Sequence, residues 1–218
     1  MKNLKKPLNL FITGTDTGVG KTYFSNLLIS AVVSNGESAV GFKPISCGDR
    51  EDSGILLKSS YPEPPSIELI NPIHLKTPAA PLAASLIEGK EIDITKIKKC
   101  HQELVSSYDN VIIEGAGGWA VPITTDYHVG DLAAELCSDV LIVVDNKLGA
   151  LNKTILTANA IRDKGLHLAG IILNHVDVER DTASISNRSI LEDTINPPLF
   201  IDILHDETSI EYPLNLFG

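Results

Sequence analysis

The residues best suited to chemistry stand near the start of the chain, in the stretch ITGTDTGVGKTYF at 12–24. Its Gly-Lys-Thr is typical of a loop that binds nucleoside triphosphates, in which Lys21 bridges the β- and γ-phosphates and Thr22 places its hydroxyl on Mg²⁺. The simplest form of that motif, G-x-x-x-x-G-K-[ST], has a glycine where this chain has Thr15, and here the glycine stands one place earlier, at Gly14. The stretch predicts a variant phosphate-binding loop; the alternative is a glycine-rich turn with a coincidental GKT.

This loop combines glycines that allow tight backbone turns with a negative charge, which is unfavourable for phosphate binding. Gly18 and Gly20 allow the backbone to turn tightly and to bring its N–H groups close to phosphate. The start of the helix that follows adds partial positive charge. Asp16, by contrast, is an acid among groups that should attract anions. The sequence leaves its role open: it could cap or brace the loop, or lie near a cationic substrate.

Carboxylates further along the chain are candidates for a metal site, because Mg²⁺ prefers hard oxygen ligands. Glu114 ends the apolar stretch NVIIE, and ligands of open α/β sheets collect at the carboxyl ends of strands. Asp49, Glu51 and Asp52 follow the second predicted strand in GDREDSG. One of these three could be a second carboxylate near the metal, and a solvated acidic loop is the ordinary alternative.

Four other residues have two interpretations each. Lys43, at the end of a predicted strand in GFKPIS, is either a surface residue or a group that holds an anion. Cys47 has no evident His or Asn partner, which favours a filler of a small polar loop over a nucleophile. Trp119 either lines a pocket or packs in the core. Asn174 either reads a nucleotide base or caps a turn.

These residues must be positioned by the sheet that the rest of the chain predicts. Short, almost wholly apolar runs between polar ends are typical of strands covered on both faces, and two stretches have apolar residues at helical spacing. The predicted strands are 8–14, 38–44, 110–115, 139–145, 168–176 and 197–204, and the predicted helices are 21–36 and 151–165. This alternation predicts a doubly wound, mainly parallel α/β sheet with helices on both faces, in a single domain over 1–218. The Pro-rich segment 61–82 departs from it and is either functional or a surface insertion.

Composition argues against several classes of partner. The formal net charge of −10 disfavours nucleic acid and anionic membrane surfaces. No stretch approaches the roughly 18 apolar residues of a membrane span, and the run after the basic MKNLKK is too short for a signal peptide. The three cysteines, Cys47, Cys100 and Cys137, are widely spaced and without a C-x-x-C, so we expect reduced thiols in a cytoplasmic protein.

Four separated stretches, TGTDTGVGKT, GFKPISCG, EGAGGWAVP and NKLGALN, stand in the order and spacing of the dethiobiotin synthetase family, which the chain resembles over nearly its full length. The resemblance implies an ATP-dependent cyclo-ligase of biotin biosynthesis that uses Mg²⁺, 7,8-diaminononanoate and CO₂ or bicarbonate. One amine and CO₂ would form a carbamate, whose oxygen attacks the γ-phosphorus to give a carbamic–phosphoric anhydride. The second amine would then close the cyclic urea and release phosphate, with no protein nucleophile. The family is homodimeric, with substrate sites at the subunit interface.

The resemblance also assigns roles to residues of this chain. It implies that Lys43, Lys21 and Thr17 are catalytic and that Thr22, Asp52 and Glu114 hold the metal. The implied nucleotide contacts are Asp16, Gly18, Val19, Gly20, Lys21, Thr22, Tyr23, Asp52, Glu114, Gly117 and Asn174. The implied substrate contacts are Thr17, Lys43, Cys47, Gly117, Gly149, Ala150, Leu151 and Asn152, of which the last four would come from the second subunit.

Two features depart from the family pattern. Cys47 stands where the family commonly has serine, which would weaken one hydrogen bond to the substrate region. The segment FIDILHDETSIEYPLNLFG, 200–218, lacks the G-x-[IL]-P turn that precedes an adenine-gripping loop in the family. We therefore expect phosphate binding to be intact and selection of the base to be loose, so that other nucleoside triphosphates are also accepted.

Other functions fit part of the pattern. Partition-type ATPases, which switch dimerisation with nucleotide, share the variant loop but carry a signature lysine where this chain has Asp16. Amide-forming enzymes of cobalamin synthesis have a related synthetase domain and generally an attached glutaminase, for which we expect no room here. A non-catalytic nucleotide-binding module would leave Lys43, Glu114 and the LGALN segment without a use.

Overall fold

A computed structural model of the chain describes residues 7–176 and 181–211. The basic start at 1–6 and the last part of the atypical C-terminal segment, 212–218, lie outside the described residues. The strands are β1 (Asn9–Gly14), β2 (Ala39–Phe42), β3 (Ile45–Cys47), β4 (Ile73–Leu75), β5 (Asn110–Gly118), β6 (Pro122–Thr124), β7 (Tyr127–His128), β8 (Asp139–Asp145), β9 (His167–Asn174) and β10 (Phe200–Ile203). The helices are α1 (Lys21–Ser34), α2 (Glu51–Ser59), α3 (Ile67–Ile70), α4 (Pro81–Glu88), α5 (Ile94–Ser107), α6 (Val129–Leu136), α7 (Ala150–Asp163) and α8 (Thr182–Ile195).

Six strands form one parallel sheet in the order β10-β9-β8-β1-β5-β2. Because β1 lies between β5 and β8, the loop after β1 opens at the centre of the carboxyl edge, where ligands of such sheets bind. The predicted α/β class is confirmed, and each predicted strand and helix corresponds to an observed one. The single-domain assignment over 1–218 stays a prediction.

The strands are buried on both faces because helices cover them. Five of the seven residues of β8 are fully buried, and β-branched or leucine side chains dominate it, as in other central parallel strands. Phe11 on β1, Phe24 on α1 and Phe42 on β2 are fully buried and join the sheet to the helix that follows the loop. Among the residues that the structure describes, no helix has both the length and the apolar character needed to cross a membrane.

The Pro-rich segment 61–82 is ordered structure and not a simple surface insertion. It contains α3 and β4 and it leads into α4, which starts at Pro81. Strand β4 pairs in parallel with β3, so that Ile45 lies opposite Ile73 and Cys47 opposite Leu75. This pairing brings the residues that follow β4 next to those that follow β2.

Strand β5 is longer than predicted, and this changes the position of Glu114. The prediction ended the strand at Glu114 or the next residue, whereas β5 continues to Gly118, which pairs with Gly14 of β1. The register between the two strands shifts after Ile12, so β5 can follow the turn of the loop. Glu114 therefore lies inside the strand, opposite Ile12, and it is fully buried.

Candidate active site

The loop after β1 has the backbone shape that phosphate binding requires. Gly18 and Gly20 have φ values of 74° and 92°, which side chains rarely adopt. Gly20 is also the residue before α1, and that helix begins at Lys21. A Cβ atom at Gly20 would meet the side-chain amide of Asn174 and would displace the hydrogen bond that this amide donates to the carbonyl oxygen of Val19.

The displaced glycine of the motif has a steric reason. Lys21 Nζ donates a hydrogen bond of 3.0 Å to the backbone oxygen of Asp16. A Cβ atom at Gly14 would lie 2.8 Å from that oxygen and 3.0 Å from Lys21 Nζ. Gly14 is therefore the residue that allows the lysine to fold back over the loop. Burial, reinforced by the nearby charge of Lys43, lowers the pKa of Lys21 to about 8.

Asp16, whose role the sequence leaves open, braces the loop. Its Oδ1 accepts a hydrogen bond from the backbone N–H of Thr17 at 2.8 Å. Its Oδ2 lies 2.6 Å from Nζ of Lys153, on α7. The hydrogen bonds from Lys153 and from the Thr17 N–H lower the pKa of the Asp16 carboxyl.

Four predicted residues, on α1, on α2, on β5 and just after β2, meet beside this loop. Lys43 Nζ lies 2.5 Å from Oε1 of Glu114 and 2.8 Å from Oδ2 of Asp52. Thr22 donates its hydroxyl hydrogen to the same Glu114 oxygen at 2.8 Å. Burial acts to lower the pKa of Lys43, but the two carboxylates more than offset it, so the pKa lies above its usual value. Lys43 is thus a buried, charged residue of the site and not a surface lysine.

The same geometry separates the three acids that follow β2. Asp52 is the one that contacts Lys43. Asp49 lines the neighbouring cavity, and its Oδ1 accepts the backbone N–H of Glu51. Glu51 is exposed on the first turn of α2. Asp52 is therefore the acid of this group that lies with Thr22 and Glu114.

The cluster of Thr22, Asp52 and Glu114 has ligands of the type that Mg²⁺ prefers. Two carboxylates and a hydroxyl are hard oxygen donors, and Mg²⁺ in nucleotide sites commonly takes one or two carboxylates together with phosphate oxygens and water. Oε2 of Glu114 is buried and has no hydrogen-bond partner among the described residues, as expected of an oxygen with a ligand still to bind. Within 7–176 and 181–211 no group of three or more His, Cys, Asp or Glu side chains could hold a metal by itself. The donors present fit a magnesium ion that is shared with phosphate.

A cavity of about 670 Å³ opens over this cluster. Its size is that of pockets for small ligands, which are roughly 300–1,000 Å³. Its lining residues are Thr17, Gly18, Gly20, Lys21, Thr22, Lys43, Ile45, Ser46, Cys47, Asp49, Asp52, Pro78, Ala79, Ala80, Pro81, Glu114, Ala116, Gly117 and Val121. The cavity thus unites the phosphate loop, the lysine and the acids with the small residues of GFKPISCG and EGAGG.

One wall of the cavity was missed by sequence reasoning. Pro78, Ala79, Ala80 and Pro81 stand just before and at the start of α4, inside the Pro-rich segment. The signal was the length of that segment, since long excursions from an α/β alternation are commonly functional. No side-chain chemistry marked these four residues, because they contribute shape and not charge.

Comparison with known proteins agrees with this arrangement. A family model described as an AAA domain matches residues 8–199. The ATP-dependent dethiobiotin synthetase BioD of Akkermansia muciniphila is 39% identical over 91% of this chain and 93% of its own length. The protein of the same name from Aromatoleum aromaticum is 36% identical over 93% of this chain and 92% of its own length.

The chain belongs to the dethiobiotin synthetase family. The predictions of family and of the ligase class of enzyme are confirmed by these relatives. The ATP-dependent dethiobiotin synthetase BioD of Methanocaldococcus jannaschii is 39% identical over 76% of this chain and 78% of its own length.

Two solved structures share the fold of this chain at low sequence identity. The septum site-determining protein MinD from Pyrococcus horikoshii, complexed with Mg-ADP, superposes with a TM-score of 0.58 at 16% identity, over 90% of this chain and 81% of that one. A plasmid partition protein from Borrelia burgdorferi gives 0.53 at 15% identity, over 97% of each chain. At these identities the likeness concerns the fold alone. It does not favour the partition-type function over that of the much closer synthetase relatives.

Some residues that the synthetase pattern implies lie away from this cavity in the single chain. Gly149, Ala150, Leu151 and Asn152, at the start of α7, are not among its lining residues. Gly149 has a φ of 91° and directly precedes the helix. Their implied role depends on a second subunit, so it stays a prediction.

Three of the implied nucleotide contacts, Asn174, Val19 and Tyr23, also lie outside the cavity lining. Asn174, at the end of β9, donates its amide hydrogen to the carbonyl oxygen of Val19 at 2.9 Å and so supports the loop backbone. Val19 is a buried apolar residue. Tyr23, on the exposed side of α1, donates its hydroxyl hydrogen to the carbonyl oxygen of Glu207 in the C-terminal segment. The role of Asn174 toward the base, and those of Val19 and Tyr23 toward the nucleotide, remain predictions.

Cys47 and Trp119 can now be assigned by their surroundings. Cys47 lines the cavity, and burial raises the pKa of its thiol to about 11. A protonated thiol is a poor nucleophile, which agrees with the interpretation as a filler. Trp119 is buried against Gly130, where an added Cβ would lie 2.6 Å from the indole ring. It packs in the core and does not line the cavity.

Proposed function

We propose that the chain catalyses the ATP- and Mg²⁺-dependent carboxylation of 7,8-diaminononanoate with ring closure to dethiobiotin. The observation that carries the proposal is the convergence of Lys21, Lys43, Thr22, Asp52 and Glu114 on one cavity. Two lysines and a loop rich in backbone N–H groups suit phosphoryl transfer, in which catalysis consists of positioning and charge neutralisation. The names of the synthetase relatives supply the substrate class.

The chemistry can proceed without a protein nucleophile. One amine of the substrate combines with CO₂ to a carbamate, and the carbamate oxygen attacks the γ-phosphorus with release of ADP. The second amine attacks the carbonyl carbon of the resulting carbamic–phosphoric anhydride, expels phosphate and closes the cyclic urea. Lys43 stabilises the carbamate and the transferring group, and Thr17 lies near the reacting side of the loop. Cys47 lines the substrate region as a protonated thiol.

Mg²⁺, when bound, neutralises charge on the β- and γ-phosphate oxygens. Thr22, Asp52 and Glu114 would hold it. In the structure the Lys43 ammonium lies between the two carboxylates. To bind the carbamate, Lys43 must therefore give up its contact with Asp52 or with Glu114. This is possible when another cation neutralises the two carboxylates.

Substrate binding would be completed by a second copy of the chain. In this proposal Gly149, Ala150, Leu151 and Asn152 of one subunit bind the substrate carboxylate at the site of the other, with the start of α7 contributing its partial positive charge. Leu148, which precedes this segment, is 82% exposed in the single chain and is therefore accessible to a partner subunit. Mixing two inactive variants, Lys43→Ala and Asn152→Ala, tests this: a shared site restores part of the activity in mixed dimers, and a site confined to one chain restores none.

The proposed activity is tested by phosphate release from ATP and Mg²⁺. We expect release to depend on both 7,8-diaminononanoate and bicarbonate, with formation of an equivalent of dethiobiotin detected by mass spectrometry. ATP hydrolysis that the diamine does not stimulate would remove the synthetase function and favour a switching ATPase.

A further inference from the structure

Two charged residues of this chain stand where local electrostatics disfavour them. Asp16 is an anion in a loop that must bind a polyanion. Lys153 is a cation near the start of α7, three residues after its first residue, whereas helix N-termini favour anions. When a local rule is broken at two positions, a functional compensation between them is a reasonable expectation.

The structure brings these two charges together. Lys153 Nζ lies 2.6 Å from Oδ2 of Asp16, although 137 positions separate them in the sequence. The two side chains are about half exposed, at 49% and 57%. Each charge neutralises the other. The loop therefore presents less negative charge to a phosphate, and Lys153 adds less positive charge beside the partial positive charge at the start of α7.

Asp16 also transmits this contact to the catalytic part of the loop. Its Oδ1 accepts the N–H of Thr17, and its backbone oxygen accepts from Lys21. A single residue is thus anchored on one side by Lys153 and contacts, on the other, two residues that face the cavity. A movement of Asp16 would displace both the Thr17 backbone and the resting position of the Lys21 ammonium.

We propose that Lys153 is a positioning residue for the phosphate-binding loop: it anchors and neutralises Asp16, so that the loop keeps its shape and admits the triphosphate. The inference rests on the proposed use of this loop for ATP. Lys153 acts through Asp16 and does not itself touch the reacting atoms.

The test is binding of Mg²⁺ with the β,γ-imido analogue of ATP, measured by calorimetry without diamine. Lys153→Met should weaken binding about threefold to tenfold at low salt, since the loop then carries an unpaired carboxylate, and less at high salt. Lys153→Arg should restore most of the affinity. In turnover assays Lys153→Met should raise KM for ATP and leave kcat within about twofold.

Two further variants separate this effect from a general one. Lys164→Met removes the same charge from the other end of α7, where Lys164 pairs with Asp131 at 2.8 Å, and should bind the analogue as the unaltered chain does. Asp16→Asn combined with Lys153→Met should bind more tightly than Lys153→Met alone, because the unpaired carboxylate is gone.

Unchanged affinity in Lys153→Met, or an equal loss in the presence and absence of Asp16→Asn, would overturn the proposal. Because binding is measured without diamine, failure of diamine-stimulated phosphate release would leave this test intact. The two results therefore distinguish failure of the proposed role of Lys153 from failure of the proposed synthetase activity.

Discussion

Lys43 Nζ lies 2.5 Å from Oε1 of Glu114, and the two side chains are only 7% and 0% exposed. A buried carboxylate without a cation is costly, and the Lys43 ammonium supplies the positive charge that Glu114 needs. The contact joins the end of β2 to the middle of β5 and so fixes the floor of the cavity. It also defines the interaction that must change when substrates bind.

Replacement of Lys43 should affect both stability and turnover. Lys43→Ala leaves Glu114 buried without its cation, and we expect a loss of about 3 kcal/mol or more in the free energy of unfolding. It should lower kcat by about 10² to 10³, as removal of other charge-stabilising groups does. Urea unfolding and steady-state kinetics measure the two effects. Lys58→Ala, an exposed lysine on α2, is the control, and near-normal kcat in Lys43→Ala would remove the residue from its role.

The magnesium requirement should depend on Glu114 and not on Glu51, an exposed acid on the first turn of α2. Glu114→Gln keeps the shape of the side chain but removes the charge, and we expect the Mg²⁺ concentration for half-maximal activity to rise about tenfold or more. Titration of Mg²⁺ at fixed ATP gives this value. Glu51→Gln, on the first turn of α2, should leave it unchanged. A similar rise in the two variants would indicate an effect of net charge and not of ligation.

The displaced glycine of the loop offers a steric test. Gly14→Ala introduces a Cβ at 2.8 Å from the Asp16 oxygen and 3.0 Å from Lys21 Nζ. Overpacking of this kind costs about 1–3 kcal/mol, so we expect affinity for ATP to fall about tenfold. Gly54→Ala is the matched control, because no atom lies within 4 Å of its added Cβ and it stands in α2. Calorimetry should find the control unchanged; equal affinities in both variants would contradict the proposed crowding.

Cys47 should become reactive only at alkaline pH. Burial raises the pKa of its thiol from the usual 9.0 to about 11, which reduces the thiolate at pH 8 about a hundredfold. A more basic thiolate is also a better nucleophile, which raises the rate of alkylation about tenfold. Alkylation of Cys47 by iodoacetamide should therefore be about tenfold slower than that of a free thiol. Its rate should rise about tenfold per pH unit between pH 7 and 10.

Mass spectrometry of tryptic peptides identifies the labelled cysteine. Cys47→Ser should retain activity and leave only the labelling of Cys100 and Cys137. Fast labelling of Cys47 that levels off below pH 9 would show instead an activated thiolate in the cavity.

Base selection is tested by comparing nucleotides. Because the segment 200–218 lacks the G-x-[IL]-P turn, we expect kcat/KM for GTP and CTP to lie within about tenfold of that for ATP. Steady-state kinetics at saturating diamine and bicarbonate give the three values. A strong preference for ATP would instead indicate that other residues recognise the base.

The features that sequence could predict are those encoded locally. The strands β1, β8 and β9 are continuous apolar runs because both of their faces are buried, and such runs are recognisable without a structure. The phosphate loop is likewise a contiguous stretch, and its glycines and lysine together are typical of phosphate binding. Glu114 was singled out because it ends an apolar run, although β5 continues past it, and Asp52 was chosen among three nearby acids through the resemblance to the family.

The features that escaped prediction depend on contacts distant in sequence. Asp16 meets Lys153 across 137 positions, and Asn174 meets Val19 across 155. The spacing of apolar residues in the sequence does not predict such pairs, because they form only when the sheet order brings α7 and β9 beside the loop. The extension of β5 past Glu114 was missed for a related reason, since its glycines are poor strand formers that pair only because β1 lies alongside.

The wall of Pro78, Ala79, Ala80 and Pro81 has a consequence for the flexibility of the cavity. Alanine and proline have no side-chain rotamers to lose, so this wall gives up almost no conformational entropy when a ligand settles against it. For the proposed 7,8-diaminononanoate substrate, the ordering cost at this wall therefore falls mainly on the flexible chain of the substrate. Substrate analogues whose chains are stiffened in the bound shape should accordingly bind more tightly than the natural flexible chain.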